Sequence, residues 1–382
     1  MTMTTKALVA GYVRSRFTFA NKGELTKVRA DDLAAFVIKD LLNKTGINAN
    51  DIEDLLLGCA FPEGEQGLNV ARLIVLLAEL PLSIGGVTIN RFCGSSMQAI
   101  HSAVGAIEAG AGEVFICAGV ESMSRVPMGG FNPMPNPKLY ETMPGAYMSM
   151  GETAENVARR FDISRKTQDE FAVESHKRAA AARENGKLEE EIIAVPIRDQ
   201  KIERDGCIRP ETTLDVLATL KPAFEEGGSV TAGTSSPLTD GAAAVLVVSE
   251  EYAKRNNLPC LARIKSMAIS GCDPEVMGIG PVNATRKALK RAGLEIKDLD
   301  IIELNEAFAS QAIACVKELG LDLQKVNIDG GAIALGHPLG ATGARITGKA
   351  AALLKREKKR YALATQCIGG GQGIATILEA CE

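Results

Sequence analysis

The sequence from Lys39 to Leu57 reads KDLLNKTGINANDIEDLLL, and 247 positions later the sequence from Arg286 to Leu304 reads RKALKRAGLEIKDLDIIEL. Each copy carries apolar residues at helical spacing, then a glycine that can end a helix, a short turn and an apolar run typical of a strand. Four positions are identical at this offset, pairing Leu42, Gly46, Asp51 and Leu57 with Leu289, Gly293, Asp298 and Leu304. The repeat therefore predicts two related halves of a layered α/β fold.

The sequence beyond each copy continues the same alternation. The predicted strand, helix and strand of the first half lie at 87–89, 95–108 and 113–118, and their counterparts in the second half lie at 326–328, 340–354 and 361–365. Each half therefore has a junction between a strand and a helix, and such connecting segments commonly carry functional side chains.

The two halves differ in the spacing of their last two strands. About 120 residues, from Gly119 to Thr239, separate these strands in the first half, whereas Gln366–Gln372 separates them in the second. The extra residues predict an inserted domain that can form one wall of a substrate cleft. The predicted domains are residues 1–119 plus 240–260, an inserted loop domain at 120–239, and residues 261–382.

Composition is that of a globular protein and argues against several classes of partner. The 382 residues carry a formal net charge of −4, so no electrostatic argument favours nucleic acid or a membrane surface. No apolar run approaches the roughly 20 residues that span a bilayer. The nine cysteines form no C-x-x-C pair, so the sequence predicts neither a zinc site nor a disulfide framework, and a reducing, cytoplasmic location is expected.

Two candidate catalytic residues lie at the predicted junctions. Cys93, in NRFCGSSMQA, precedes a helix, and the unpaired N–H groups of a helix N-terminus favour a thiolate. A buried structural cysteine is the alternative interpretation of this position. His337, in GGAIALGHPLGATGAR, lies between glycine turns and a proline suited to a first helical turn. The other histidines, His101 and His176, fall within predicted helices and are expected to pack or to face solvent.

Two further segments follow predicted strands. Cys367 lies in TQCIGGGQG, where successive glycines leave backbone N–H groups free to form an anion-binding nest. Asn305 begins NEAFA, immediately after the strand predicted at 299–304. Because equivalent strands of duplicated halves end at equivalent places, we expect the four candidate segments to converge on one face of the molecule.

These four segments, NRFCGSSMQA, NEAFA, GGAIALGHPLGATGAR and CIGGGQG, resemble the thiolase family in their order and spacing. The similarity continues through MGETAENVARR and VTAGTSSPLTDGAAA, so it covers essentially the whole chain. The stretches TTLDVLATLKPAF and MAISGCDPEVMGIGP are most similar to the bacterial 3-ketoacyl-CoA members that serve fatty-acid β-oxidation. The resemblance implies βαβαβαββ halves packed as a layered α/β/α/β/α core.

The resemblance also implies a ping-pong reaction in which free CoA cleaves a 3-ketoacyl-CoA to acetyl-CoA and a shortened acyl-CoA. Cys93 matches the nucleophile, whose low thiol pKa a helix N-terminus and a nearby imidazole are expected to provide. Cys367 matches the acid and base. His337, with a water held by Asn305, matches one oxyanion hole, and the backbone N–H groups of Cys93 and Gly369 match the second. No cofactor or metal is implied, since CoA is a substrate.

Fewer positions match the substrate-binding residues of the family. Ser236 matches a serine that contacts the pantetheine arm, and Lys221 stands where many relatives have an arginine near the adenine. Ser149 replaces a histidine of the short-chain members, so the sequence predicts a pocket for medium or longer acyl chains. The residues expected to line part of this pocket are Met148, Met150 and Phe308.

Three alternative functions stay open at the level of sequence. An acetoacetyl-CoA thiolase would work in the biosynthetic direction on short chains. A decarboxylating ketoacyl synthase shares the duplicated architecture but uses two histidines, and here Cys367 stands in place of one. A noncatalytic lipid-binding or scaffold subunit is the third. The resemblance also implies a homodimer or homotetramer, and it names the hydratase/dehydrogenase α subunit of a β-oxidation complex as a candidate partner.

Overall fold

The computed structural model describes residues 6–197, 200–202 and 204–381. Its strands are β1 (Ala7–Ser15), β2 (Thr18–Phe19), β3 (Asp54–Gly58), β4 (Gly85–Ile89), β5 (Val114–Ser122), β6 (Ile192–Ile193), β7 (Val195–Ile197), β8 (Gln200–Ile202), β9 (Thr239–Ser249), β10 (Ala262–Gly271), β11 (Ile301–Leu304), β12 (Tyr361–Ile368) and β13 (Gln372–Ala380). Its α-helices are α1 (Ala30–Thr45), α2 (Val70–Leu77), α3 (Ser95–Glu108), α4 (Pro137–Thr142), α5 (Met150–Arg160), α6 (Arg165–Glu184), α7 (Leu214–Ala218), α8 (Glu250–Arg255), α9 (Gly280–Ala292), α10 (Ala309–Leu319), α11 (Ala332–Leu335) and α12 (Leu339–Glu357). Within the described ranges, no helix has both the length and the apolar character needed to cross a bilayer.

The repeated stretch folds in the same way in both halves. Gly46 ends α1 and Gly293 ends α9, each in the left-handed conformation, with φ of 65° and 68°. The two glycine N–H groups donate back into the last helical turn, to the carbonyls of Leu42 and Leu289. A short 3-10 turn then leads into β3 in one half and β11 in the other. The predicted helix, glycine, turn and strand are therefore confirmed in both copies.

Five layers build the core. The first half contributes a run of strands in the order β4-β3-β5-β9-β1, and the second a run in the order β11-β12-β13-β10. The two runs join where Leu8 and Val9 of β1 pair antiparallel with β10. Helices α3 and α12 pack between the two runs, α1 and α2 cover the outer face of the first, and α9 and α10 cover the second. The predicted α/β/α/β/α core is confirmed.

The two central helices begin side by side, and this places the functional segments. Helix α12 is buried on nearly every side because it packs against both runs of strands. Gly343 faces α3, and an added Cβ there would lie 2.8 Å from the Cβ of Met97. The N–H of Ala344 donates to Ser96 Oγ at 2.8 Å. The loops that enter α3 and α12 are therefore neighbours in space.

The inserted segment leaves the first half after β5 and returns at β9. Helices α5 and α6 are its two longest helices. Strand β5 continues to Ser122 because Gly119–Ser122 pairs with Ala243–Asp240 of β9. The predicted boundary at residue 119 therefore falls inside a strand, while the division of the chain into domains stays a prediction.

The strand predicted at 326–328 is wrong. Only Val326 forms an isolated bridge there, to Ile302 of β11. Asn327 adopts a positive φ of 47°, and its side chain accepts from the N–H of Leu304 and donates to the carbonyl of the same residue. The Asn327 carboxamide thus takes the hydrogen bonds that a further strand would make, which an apolar pattern does not reveal.

One pair of cysteines forms a disulfide that the sequence did not predict. Cys260 and Cys381 are bonded across 121 positions, with Cα atoms 6.1 Å apart. Cys260 precedes β10 and Cys381 follows β13, and these antiparallel strands pair through Ala262 and Ala380. The contact depends on tertiary pairing, so cysteine spacing along the chain could not indicate it. The other seven cysteines are free.

Candidate active site

Cys93 lies in the loop between β4 and α3, as the sequence predicted. Phe92, just before it, adopts a left-handed φ of 42°, which turns the chain sharply into the helix. The Ser95 hydroxyl donates to the carbonyl of Phe92 at 2.6 Å and holds this turn. Gly94 comes close to the second half, since a Cβ there would lie 2.6 Å from Ile368 Cδ1. The turn therefore presents the Cys93 thiol at the boundary between the halves.

The Cys93 thiol is protonated at neutral pH, which corrects the expected low pKa. The residue is only 8 % exposed, and this burial raises the pKa of its thiol to about 11. Hydrogen bonds from the backbone N–H groups of Gly369 and of Cys93 itself lower the pKa in part. Desolvation outweighs these donors, and the charge of the nearby Glu121 raises the pKa further. The two N–H groups of the predicted second oxyanion hole do converge on this sulfur.

Cys367 lies beside Cys93, near the end of β12. It is fully buried, and burial together with the nearby Cys93 raises the pKa of its thiol well above the usual range. The neighbouring Gln366 donates from Nε2 to the backbone carbonyl of Cys93, so the strand is tied to the nucleophile loop. After Ile368 the chain turns through Gly370 and Gly371, both at positive φ. The structure thus brings the two predicted thiols together.

His337 enters the site from the start of α12, and it is neutral. Its backbone N–H donates to Thr239 Oγ1 at 3.0 Å, and Nε2 lies 3.3 Å from Asn305 Nδ2. The Nδ1 atom lies 2.6 Å from the Thr342 hydroxyl. Burial, reinforced by the charge of Arg345, lowers the pKa of the imidazole to about 3. A neutral imidazole can donate one hydrogen bond to a developing oxyanion without being a cation.

An apolar wall lies next to the thiols. Phe308 is buried, packs in the same cluster as Cys367 and Met150, and meets the Phe224 ring edge to face with centroids 5.8 Å apart. A Cβ added to Gly369 would lie 3.4 Å from the sulfur of Met150. The structure therefore places Met150 and Phe308 beside the reacting groups.

The remaining predicted binding residues lie in the inserted segment. The Ser149 hydroxyl accepts from the Glu152 N–H and caps α5, so it is already engaged in a capping box. Ser236 is half-buried, and its backbone N–H donates to Ala307 at 2.9 Å. Lys221 is exposed in the segment after α7. Roles of these three residues in binding stay predictions.

Glu121 is a buried carboxylate that the sequence analysis missed. It accepts from the backbone N–H groups of Ala60, Phe61 and Gly340, at 2.8, 3.2 and 2.9 Å, and from Gln66 Nε2 at 3.0 Å. It thereby ties the loop after β3 to the first turn of α12. Its signal in the sequence is an acidic residue near the end of an otherwise apolar strand. Across the described residues, no group of three or more His, Cys, Asp or Glu could hold a metal ion.

Comparisons with known proteins agree with this geometry. Sequence profiles for "Thiolase, N-terminal domain" and "Thiolase, C-terminal domain" match residues 7–251 and 258–380. The chain is 47 % identical to a 3-ketoacyl-CoA thiolase of Bacillus subtilis, over 98 % of this chain and 100 % of the relative. It is 49 % identical to a 3-ketoacyl-CoA thiolase of Shewanella loihica, over 98 % of this chain and 99 % of the relative.

Solved structures give the same result. Human mitochondrial 3-ketoacyl-CoA thiolase in complex with CoA superposes with a TM-score of 0.91 at 38 % identity, covering 99 % of both chains. The Bacillus anthracis acetyl-CoA acetyltransferase superposes with a TM-score of 0.90 at 37 % identity, covering 100 % of both chains. Together the two family profiles span nearly the whole sequence, and so does each of these relatives. The chain belongs to the thiolase family.

Proposed function

We propose that this protein is an acyltransferase that cleaves 3-ketoacyl-CoA with CoA, giving acetyl-CoA and a shortened acyl-CoA. The observation that carries the proposal is the meeting of two buried thiols, Cys93 and Cys367, in a fold that also buries the neutral His337 against Asn305. Relatives named 3-ketoacyl-CoA thiolase, at 47 % and 49 % identity, support the same reaction.

The first half-reaction forms an acyl-enzyme. The Cys93 thiol, protonated at rest, first loses its proton to solvent. The thiolate then attacks the keto carbon of the substrate, and the bond between that carbon and C2 breaks, so its electron pair passes to C2. Cys367 gives its thiol proton to C2, and acetyl-CoA leaves. In the second half-reaction, incoming CoA gives its proton to the Cys367 thiolate and attacks the acyl group on Cys93. Shortened acyl-CoA leaves and the Cys93 thiolate is restored.

Two sets of donors would stabilise the oxygen atoms that become negative. The N–H groups of Cys93 and Gly369 bond the Cys93 sulfur, and we propose that they serve the oxygen of the tetrahedral intermediate, which forms on the carbon bonded to that sulfur. His337, together with a water held by Asn305, is proposed to serve the thioester oxygen of the acetyl-CoA enolate, and the contact between the two side chains supports this. Each such donor contributes about 10²–10³-fold in rate in well-studied enzymes. No step needs a metal or a prosthetic group, because CoA is a substrate.

The preferred substrate is proposed to carry a medium or longer acyl chain. Support comes from Ser149, which stands where short-chain members have a histidine, and from the apolar wall of Met150 and Phe308. An acetoacetyl-CoA thiolase is the second candidate, favoured by the similarity to an acetyl-CoA acetyltransferase. Thiolysis of 3-ketooctanoyl-CoA and of acetoacetyl-CoA by the purified protein decides between them. Cleavage of acetoacetyl-CoA alone would contradict the medium-chain proposal.

A homodimer is proposed through the outer edge of the first run of strands. Within the described ranges β4 pairs only with β3, so its other edge is open. Leu68 and Leu82 near it are 88 % and 74 % exposed. An open edge beside exposed leucines favours pairing with a second copy. Light scattering on the purified protein tests this, and a monomer at micromolar concentration would contradict it.

The wider cellular role is proposed on the resemblance alone. We place the reaction in fatty-acid β-oxidation in the cytoplasm, where the seven free cysteines, including Cys93 and Cys367, would stay reduced, although the one disulfide is uncommon there. A homotetramer and a hydratase/dehydrogenase α subunit stay predictions. Co-purification from cells grown on fatty acid, followed by identification of bound subunits, tests both.

A further inference from the structure

The hydrogen bond between His337 and Thr342 has only two chemically allowed forms. Thr342 Oγ1 and His337 Nδ1 are 2.6 Å apart, and both are buried. At this distance a hydrogen must lie between them, because two lone pairs would repel each other. Either the hydroxyl donates to Nδ1, or Nδ1–H donates to the hydroxyl. Because burial keeps the ring neutral, with a pKa of about 3, it carries a single N–H.

The surroundings of Thr342 favour donation to the histidine. Its hydroxyl could instead donate to the carbonyl of Pro338, which lies 3.0 Å away. That carbonyl already accepts the backbone N–H groups of Ala341, at 2.9 Å, and of Thr342, at 3.0 Å. A carbonyl oxygen has two lone pairs, so a third donor gains little there. The Nδ1 atom of His337, by contrast, has no other hydrogen-bond donor among the described contacts.

Asn305 gives a second, independent indication. If Nδ1 accepts, the ring hydrogen is on Nε2, which faces the Asn305 carboxamide at 3.3 Å. The carboxamide oxygen of Asn305 is buried and without a partner in its present orientation. Nitrogen and oxygen of an amide are assigned from their hydrogen bonds, and turning the amide about its last bond lets this oxygen accept from Nε2–H until a substrate oxygen replaces it as acceptor.

We propose that Thr342 is a positioning residue that fixes the tautomer of His337: its hydroxyl donates to Nδ1, so that Nε2 carries the hydrogen that faces the substrate oxygen. The inference rests on the proposed role of His337 as an oxyanion donor. With the opposite tautomer, Nε2 would present a lone pair to the developing negative charge and would destabilise it.

The test uses three variants of the full-length protein. Thr342→Val removes the hydroxyl with little change in shape, and Thr342→Ser restores it. Thr347→Val is the matched control, because Thr347 is buried in the same helix and donates to the carbonyl four residues earlier, but no contact joins it to the histidine. Imidazole ¹⁵N NMR reads the tautomer directly, and only three histidines need assignment.

Two reactions separate this role from a structural one. Exchange of the acetyl-CoA methyl hydrogens with D₂O needs the enolate that His337 would stabilise, whereas acylation of Cys93 by octanoyl-CoA uses the other oxyanion hole. Thr342→Val should slow exchange and thiolysis about 10-fold to 100-fold, up to the lower limit of the loss known for removing an oxyanion-hole donor itself. Acylation should stay within about 3-fold, and both Thr342→Ser and Thr347→Val should behave as wild type.

Several outcomes would overturn the inference. These are a wild-type His337 with its hydrogen on Nδ1, a Thr342→Val variant with normal exchange, or an equal loss of exchange and acylation. The His337→Asn variant distinguishes a failure of the role of Thr342 from a failure of the proposed function. If His337→Asn keeps normal exchange, the role of the histidine itself is wrong. If His337→Asn fails while Thr342→Val is normal, only the role of Thr342 is wrong.

Discussion

At the scale of single residues, protonation is the property that the sequence could not predict. The position of Cys93 before a helix was correct, and a helix N-terminus by itself lowers a thiol pKa. The thiol pKa is instead raised, because the second half of the chain packs over the loop and buries the sulfur. Gly94, next to Cys93, lies against Ile368 of the second half. Burial of this kind belongs to the assembled halves, and no local pattern around Cys93 carries it.

The raised pKa of Cys93 predicts how its alkylation depends on pH. Because the thiolate is the reactive form and the pKa is about 11, the rate of modification by iodoacetamide should rise roughly tenfold per pH unit from pH 7 to 10. Mass spectrometry of the Cys93 peptide at each pH measures the rate, with Cys93→Ser as the control. A rate that levels off below pH 8 would contradict the burial argument.

The hydrogen bonds that Glu121 accepts predict that the conservative substitution Glu121→Gln lowers the stability of the protein. Glu121→Gln replaces one acceptor oxygen by an N–H₂ group that faces backbone N–H donors, so a buried donor is left without its acceptor. We expect the free energy of unfolding to fall by about 1–3 kcal/mol. Urea denaturation measures the change. The exposed Glu170→Gln serves as control and should change stability by less than about 1 kcal/mol, and equal effects of the two variants would refute the assignment.

At the scale of elements, the repeat predicted helices and strands well where each carried its own apolar periodicity. Helices α1 and α9, with the glycines that end them, were read from the matching positions. The failure at 326–328 has a local cause, since backbone pairing with β11 stops at Ile302 and the Asn327 side chain bonds Leu304 in place of a further strand residue. The close packing of α3 against α12 could not be predicted either. Small residues in a sequence indicate that something packs closely there, but they do not identify the element that does so.

The contact between the central helices predicts opposite effects for two glycines. In Gly343→Ala the added methyl group would come within 3.0 Å of the Cα of Met97, so α3 and α12 must separate. We expect a loss of about 1–3 kcal/mol in the free energy of unfolding. Gly105→Ala, within α3, meets nothing within 4 Å and should stabilise by about 0.5–1 kcal/mol. Thermal unfolding of both variants tests this, and two changes of the same sign would contradict the packing.

At the scale of the whole molecule, convergence of distant segments was the central expectation, and the structure brings them together. Duplication predicted it because equivalent strand ends meet in related halves, as the Cys93 and Cys367 segments do through the hydrogen bond from Gln366 to the Cys93 carbonyl. What the sequence lacked was the connecting polar framework of Glu121 and Thr342, and the disulfide between Cys260 and Cys381. Each of these depends on residues that only the folded chain brings into contact.

Three buried histidines predict how the stability of the whole molecule depends on pH. Burial lowers the pKa of His101 to about 3, of His176 to about 4 and of His337 to about 3. In the unfolded chain their pKa is about 6.5, so below that pH the unfolded state binds protons that the native state does not. Their contribution to stability is therefore complete above pH 6.5 and is lost as the pH falls towards 4.

Urea denaturation between pH 7 and pH 4.5 measures this dependence. His101→Gln should reduce its slope by up to about 1.4 kcal/mol per pH unit, the contribution of one proton. An unchanged slope would show that His101 titrates alike in both states, contrary to its burial against Thr376.

The division of labour between Cys93 and Cys367 is the central claim, and one measurement tests it most directly. The wild-type protein and Cys367→Ala are each incubated with octanoyl-CoA, digested, and analysed by peptide mass spectrometry. The account predicts an octanoyl thioester on Cys93 in both proteins, while only the wild type goes on to cleave 3-ketooctanoyl-CoA. An octanoyl group on Cys367 of the wild type, with Cys93 unmodified, would contradict it.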